Sequence, residues 1–87
     1  MMCGKTSSGF EYKVDPKVMD NMELLDAIVD IDTNPLALSK VLKMVLGEYQ
    51  RKALYDHLRT DDGRVPVEAV SEEITEIFNA SGQQGKN

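Results

Sequence analysis

The stretch from Leu36 to Leu46 constrains this chain more than any other. At about 100° per residue, Ala37, Leu38, Val41, Leu42, Met44, Val45 and Leu46 cover more than half the circumference of a helix. Only Ser39, Lys40 and Lys43 keep a narrow polar strip, and Leu36 lies inside that strip. A helix this apolar is the central element of a small bundle, part of an exposed binding surface, or both. Gly47 fits a left-handed C-terminal cap, so the chain turns sharply there into a separate helix.

The other elements arrange themselves around it. The chain has 87 residues, enough for one domain that buries roughly 60% of its unfolded surface. Residues 1–8 are small and polar, which predicts a disordered N-terminus, and residues 81–87 read as a flexible tail. Between them, residues 9–80 form a single helical domain. Phe10, Tyr12 and Val14 alternate with Glu11 and Lys13 in the period-two pattern of a half-buried strand. A lone strand is unstable. Three arrangements are open to it: pairing with Val65-Pro66-Val67, lying across the helices, or adding to another subunit.

Asp15-Pro16 opens the first helix with an N-cap and a proline at the first helical position. It is predicted to run to Ile31, with Leu24, Ile28, Leu25, Val18, Val29 and Met22 on its buried face. Asn34-Pro35 repeats the start signal. After Gly47, Tyr49, Ala53, His57, Leu54 and Leu58 share one face, opposite Glu48, Arg51, Lys52, Asp56 and Arg59. Asp61-Asp62-Gly63 is a turn. A last helix then carries a narrow stripe of Val67, Val70, Ile74, Ile77 and Phe78, its acidic remainder solvated. The expected fold is all-α, a bundle of about four helices (16–31, 35–46, 48–59, 67–79) with a short β-like arm at 10–14.

Function is read mostly by exclusion. One cysteine, Cys3, permits no internal disulfide. Residues 1–9 lack the apolar core of a signal peptide, and no apolar run reaches the roughly 18 residues that cross a bilayer, so the expected location is cytoplasmic. Net charge is −5, and no basic–aromatic patch is present, which argues against nucleic acid. The basic middle between acidic flanks reads as internal charge complementarity. His57 lacks partners for zinc and is expected to be a packed, hydrogen-bonded side chain. Asp30-x-Asp32-x-Asn34 begins like a calcium loop, but Pro35 and Val41 stand where that loop needs glycine and glutamate. No metal site, cofactor or catalytic constellation is expected. The remaining trade is protein binding, with Leu36, Lys40, Lys43 and Tyr55, the last placed among the charges, as candidate partner contacts.

The order of these pieces resembles a known family. Phe10-Glu11-Tyr12-Lys13-Val14-Asp15 leads into Met22-Glu23-Leu24-Leu25-Asp26. Leu46-Gly47-Glu48-Tyr49-Gln50 and His57-Leu58-Arg59 follow, then Asp61-Asp62-Gly63-Arg64-Val65-Pro66-Val67-Glu68 and Glu76-Ile77-Phe78. In residues 9–80 this is similar to the tail assembly chaperones of long-tailed bacteriophages and prophages of Gram-positive bacteria. The resemblance implies a helical, self-associating binding protein in the host cytoplasm. It implies two partners, the tape measure protein, which such chaperones keep soluble, and the tail tube protein. It also implies a longer form made by ribosomal frameshift near Gly85-Lys86-Asn87. The alternative from another class is a small acidic phage or host regulator that inhibits its target by contact. Gene order separates them, since a chaperone gene lies between those for tail tube and tape measure.

Overall fold

The computed structural model describes residues 2–31 and 33–84. It contains a two-stranded antiparallel sheet, β1 (Met2–Lys5) and β2 (Glu11–Val14), followed by four helices. These are α1 (Pro16–Met19), α2 (Met22–Asp30), α3 (Ala37–Leu58) and α4 (Val67–Gln84). The helical character expected from the sequence is present, and its boundaries differ in instructive places.

The apolar stretch is the core, as its pattern requires. Leu38, Val41, Leu42, Val45 and Leu46 of α3 are all buried. Around them pack Leu24 and Ala27 of α2, Leu54 from the far half of α3, and Val70, Ile74 and Ile77 of α4. Asn34, expected as the cap, instead closes a turn ahead of the helix, its Oδ1 accepting from the Leu36 N–H at 3.2 Å, while the N-cap position falls to Leu36 with no side-chain capping bond. Pro35 lies in a tight turn closed by Leu38 N–H to Pro35 O, 3.1 Å, and the helix proper begins two residues later than expected.

Gly47 breaks α3 with φ 72° and ψ −178°. This is a positive-φ, extended conformation essentially restricted to glycine, and not the left-handed cap expected from the sequence. Both halves of α3 keep helical hydrogen bonding while the chain changes direction between them. Since no neighbouring atom lies within 4 Å of a Cβ built there, the cost of a side chain is purely conformational. Gly47→Ala is expected to lower unfolding stability by about 1–3 kcal/mol, read as a lower urea midpoint at unchanged slope. An unchanged midpoint would mean that the kink is not fixed in solution.

The first expected helix, 16–31, is two helices. Asp15 Oδ1 caps α1 by accepting from Lys17 N–H at 2.9 Å, but one turn later Asp20 leaves helical geometry (φ −93°, ψ 64°). Asn21 then restarts the helix, its Oδ1 accepting from Glu23 N–H at 3.0 Å. Asp20-Asn21 is a second cap signal inside an apolar pattern, and the local hydrogen bond prevails over continuity.

The larger correction concerns the N-terminus. Residues 2–5, expected to be disordered, pair with 11–14 in the register Met2↔Val14, Cys3↔Lys13, Gly4↔Tyr12 and Lys5↔Glu11. The strand at 10–14 therefore pairs with the chain's own first residues and not with Val65-Pro66-Val67, and its buried side, Phe10, Tyr12 and Val14, lies against the helices. Gly4 makes the pairing possible: a Cβ there would collide with the phenol of Tyr12, which is buried over the glycine. The hairpin turn, Thr6-Ser7-Ser8-Gly9-Phe10, has the same build as Thr60-Asp61-Asp62-Gly63-Arg64. In each, the threonine N–H donates to the carbonyl four residues on (2.9 and 2.8 Å), and the glycine N–H returns to the threonine carbonyl (2.9 Å in both). Both glycines have positive φ, 97° and 90°.

At the second of these turns, the exposed Asp62 carboxyl is held below its ordinary value, first by the Thr60 hydroxyl and then by Arg64. Its contribution to stability is present above the unfolded pKa and is lost as pH falls through the lowered, folded one.

At the other end, α4 reaches Gln84 and so enters the segment read as a flexible tail. The residues of the frameshift motif, 85–87, lie outside the described residues. No helix among the described residues is long and apolar enough to cross a membrane.

Candidate functional site

Side chains of α3 and α4 clamp the hairpin to the helices, and this fixes which surfaces remain open. The Gln50 carboxamide takes both polar groups of Lys13, accepting from its N–H at 2.7 Å and donating to its carbonyl at 2.8 Å. It stands where a third strand would and blunts the outer edge of β2. Two helical turns on, His57 Nε2 lies 3.0 Å from Ser8 O and 3.2 Å from Ser8 Oγ, with its ring 5.8 Å from that of Phe10. His57 is thus hydrogen-bonded, as expected, with its ring tilted by 45° to that of Phe10, but it is exposed and not packed at the centre of an apolar arc.

From α4, Glu73 Oε1 accepts from Thr6 Oγ1 at 2.7 Å, and Glu76 Oε1 accepts from Ser7 N–H at 2.6 Å. Glu73 is only 5% exposed. These two acids were expected in solvent. They instead hold the turn of the hairpin.

Anchoring the hairpin at Gln50 and His57 also rotates the second half of α3 away from the expected orientation. Its inward stripe is Arg51, Leu54, Tyr55 and Leu58, an i, i+3, i+4, i+7 set. Tyr55, assigned to the wet face and to partner contact, is half-buried against the core, with the Arg51 guanidinium 5.8 Å from its ring centre. Tyr49, assigned to the core, is 86% exposed. The azimuth of a helix after a glycine kink is set by tertiary contacts, and no local pattern records them. Tyr55→Ala is therefore expected to cost about 1–2 kcal/mol by lost burial, while Tyr49→Ala leaves a thermal melt unchanged. The opposite ranking would restore the original face.

The four candidate contacts do not form one site. Leu36 is 82% exposed and shares a groove of about 410 Å³ with Lys40, opposite Glu23, Asp26 and Asp30 of α2. Lys43 is exposed on the same half of α3 and does not line that groove, and Tyr55 belongs to the other half. A broader groove of about 910 Å³ runs between the hairpin and the second half of α3, with Tyr49 and Ala53 on its rim.

The surface that sequence reasoning missed is on α2. Met22, Leu25 and Val29 were placed on its buried face, yet all three are exposed, Val29 by 66%. A signal existed: this helix is apolar at Met22, Leu24, Leu25, Ala27, Ile28 and Val29, more positions than one packed side can cover. Nor do the acids around these residues find bases inside the fold. Among the described residues the ion pairs are local, Arg59–Asp56 at 3.1 Å and Arg64–Asp62 at 3.0 Å. The expected complementarity between basic middle and acidic flanks is not formed by direct pairs, so α2 and α4 keep their negative charge. No family model, curated protein or solved structure matches this chain.

Proposed function

We propose that this chain is a tail assembly chaperone of a long-tailed bacteriophage or prophage, acting by contact and not by a reaction. In this reading it is an all-α bundle with an appended hairpin, and it works in the bacterial cytoplasm. It self-associates, holds the tape measure protein soluble and helps recruit tail tube protein. A longer frameshifted form accompanies it. One observation carries the reading alongside the sequence resemblance. Large apolar side chains stay exposed at Met22, Leu25, Val29, Leu36, Tyr49 and Val67 on a body of net charge −5.

That combination suits a holdase. Exposed apolar surface masks the apolar faces of a client, and unpaired negative charge keeps the complex in solution. The contact residues are redrawn accordingly: Leu36, Lys40 and Lys43 remain on the accessible half of α3, and Tyr49 replaces Tyr55.

Co-expression with the tape measure protein tests it. The tape measure protein is expected to move from the pellet to the soluble fraction and to co-elute with this chain on size exclusion. A client that stays insoluble, with no joint peak, would remove the proposal.

A further inference from the structure

The two edges of the hairpin are finished differently. On β2, Lys13 turns its N–H and carbonyl away from β1 and gives both to the Gln50 carboxamide. Opposed residues of an antiparallel pair alternate between bonding each other and facing outward. Cys3↔Lys13 is therefore an outward pair, as is Lys5↔Glu11, while Gly4↔Tyr12 between them is bonded. The turn keeps the same alternation, since the Thr6 N–H donates to the Phe10 carbonyl. On β1 the N–H and carbonyl of Cys3 and of Lys5 thus point off the sheet. None of these four groups has a hydrogen-bond partner among the described residues. Both side chains are exposed, and both residues line the open groove beside Tyr49.

We infer that β1 pairs antiparallel with β1 of a second copy, joining two hairpins into one four-stranded sheet. Backbone, charge and packing each favour a second copy as the occupant. Only registers that oppose outward residues can bond. Centring on Cys3 leaves Lys5 opposite a residue before β1, and centring on Lys5 puts like charges face to face. Centring on Gly4 opposes Cys3 of each copy to Lys5 of the other and answers all the free groups, two bonds per pair.

In that register the exposed face reads Glu11, Lys5, then Cys3 and Lys13 of the second copy. Each Lys5 stands between its own Glu11 and a neutral cysteine, so no like charges are opposed. Gly4 meets Gly4 of the second copy on the two-fold axis, where the backbones come closest. The axis is perpendicular to the sheet, so both helical bodies stay on one face. There the Tyr12 phenols, each lying across its own Gly4, approach one another. Few bonds and little apolar area make this a weak, concentration-dependent dimer. It gives the self-association of the proposed function a place, and rests on that reading only for the use of the dimer.

The test follows the reduced full chain by sedimentation and amide hydrogen exchange up to about 1 mM. A monomer–dimer equilibrium is expected. The Cys3 and Lys5 amides become protected as concentration rises, while the Gly4 amide, bonded to Tyr12, is protected throughout. Cys3→Pro removes one outward N–H at an edge position that tolerates proline. It is expected to keep the helical circular dichroism and to weaken the dimer about tenfold or more. Cys3→Ser dimerises as the native chain does, which separates backbone from thiol. For the register, Cys3→Ser/Lys5→Cys is mixed with native chain and oxidised. The expected disulfide joins native Cys3 to the introduced thiol, since bonded pairs lie about 5.5 Å apart at Cα, within disulfide reach.

A monomer at every concentration overturns the inference, as does a folded Cys3→Pro that dimerises with native affinity. So does concentration-dependent protection elsewhere with Cys3 and Lys5 unprotected, or a predominance of links between native copies. The exchange pattern needs no variant and decides the matter if Cys3→Pro loses its hairpin. The two proposals fail separately. If the tape measure complex forms and the Cys3 and Lys5 amides stay unprotected, the chaperone reading stands and the edge does not. If the edge pairs as described and no tape measure complex forms, the edge stands and the chaperone reading falls.

Discussion

Leu42→Asp is expected to leave the chain unfolded at room temperature. Leu42 is 2% exposed and lies among Leu38, Val41 and Val45 on the most buried side of α3. A carboxylate there would be enclosed by the apolar side chains of the core. It must either ionise in an apolar medium or be held protonated, and both are costly. A domain of this size has about 5–10 kcal/mol to lose. The size of the effect is best judged against Leu42→Ala, which removes the same side chain without adding charge. That variant is expected to fold, with stability lower by about 2–5 kcal/mol. Far-UV circular dichroism and size exclusion separate the two outcomes: loss of helical signal and an expanded volume for the aspartate, a compact protein with a lower melt for the alanine. If both variants melt alike, Leu42 has water access and the central role of α3 is wrong.

What the sequence reveals of this fold depends on whether the information is local. Asp15-Pro16, Asn34-Pro35, Gly47 and Gly63 each act on the backbone beside them and each marks a break or start near the expected place, although α3 begins two residues after Pro35 and Gly47 kinks the helix without the left-handed cap. The apolar crowding from Leu38 to Leu46 is equally local, and those residues are the core. The hairpin is different. Met2–Lys5 has no alternating pattern, and its pairing depends on Gly4 leaving room for Tyr12 across the sheet. Thr6 and Ser7 look like a solvated end, but their partners Glu73 and Glu76 are 67 and 69 residues away. The candidate contacts divide the same way. Leu36 stands out because it falls in the narrow polar strip of Ser39, Lys40 and Lys43. Tyr49 and Tyr55 exchange roles because the kink at Gly47 and the clamp at Gln50 and His57 fix an orientation that no wheel contains.

The hairpin clamp supplies the other large expected effect. Thr6→Val keeps the shape of the side chain and removes its hydroxyl. Three groups lose a partner: the buried Glu73 Oε1, which accepts from Thr6 Oγ1 at 2.7 Å, the Phe10 N–H, which donates to the same oxygen at 3.2 Å, and the exposed Ser8 hydroxyl, 3.1 Å from it. Leaving a buried carboxylate without its donor costs more than a lost neutral bond, and about 3 kcal/mol is the expected scale. The cost arises from the orphaned acid, so removing that acid relieves much of it. Thr6→Val/Glu73→Leu is expected to be more stable than Thr6→Val alone, because an apolar pair of similar volume leaves no orphaned acid, and the exposed Ser8 hydroxyl can turn to water. Urea unfolding of the native chain, the two single variants and the double variant closes the cycle, with a coupling of about 1–3 kcal/mol. Additive single effects would mean that the turn of the hairpin does not rest on α4. A coupled result ties the N-terminal strands to the helices, so that the hairpin edge and the groove beside Tyr49 persist as one fixed surface.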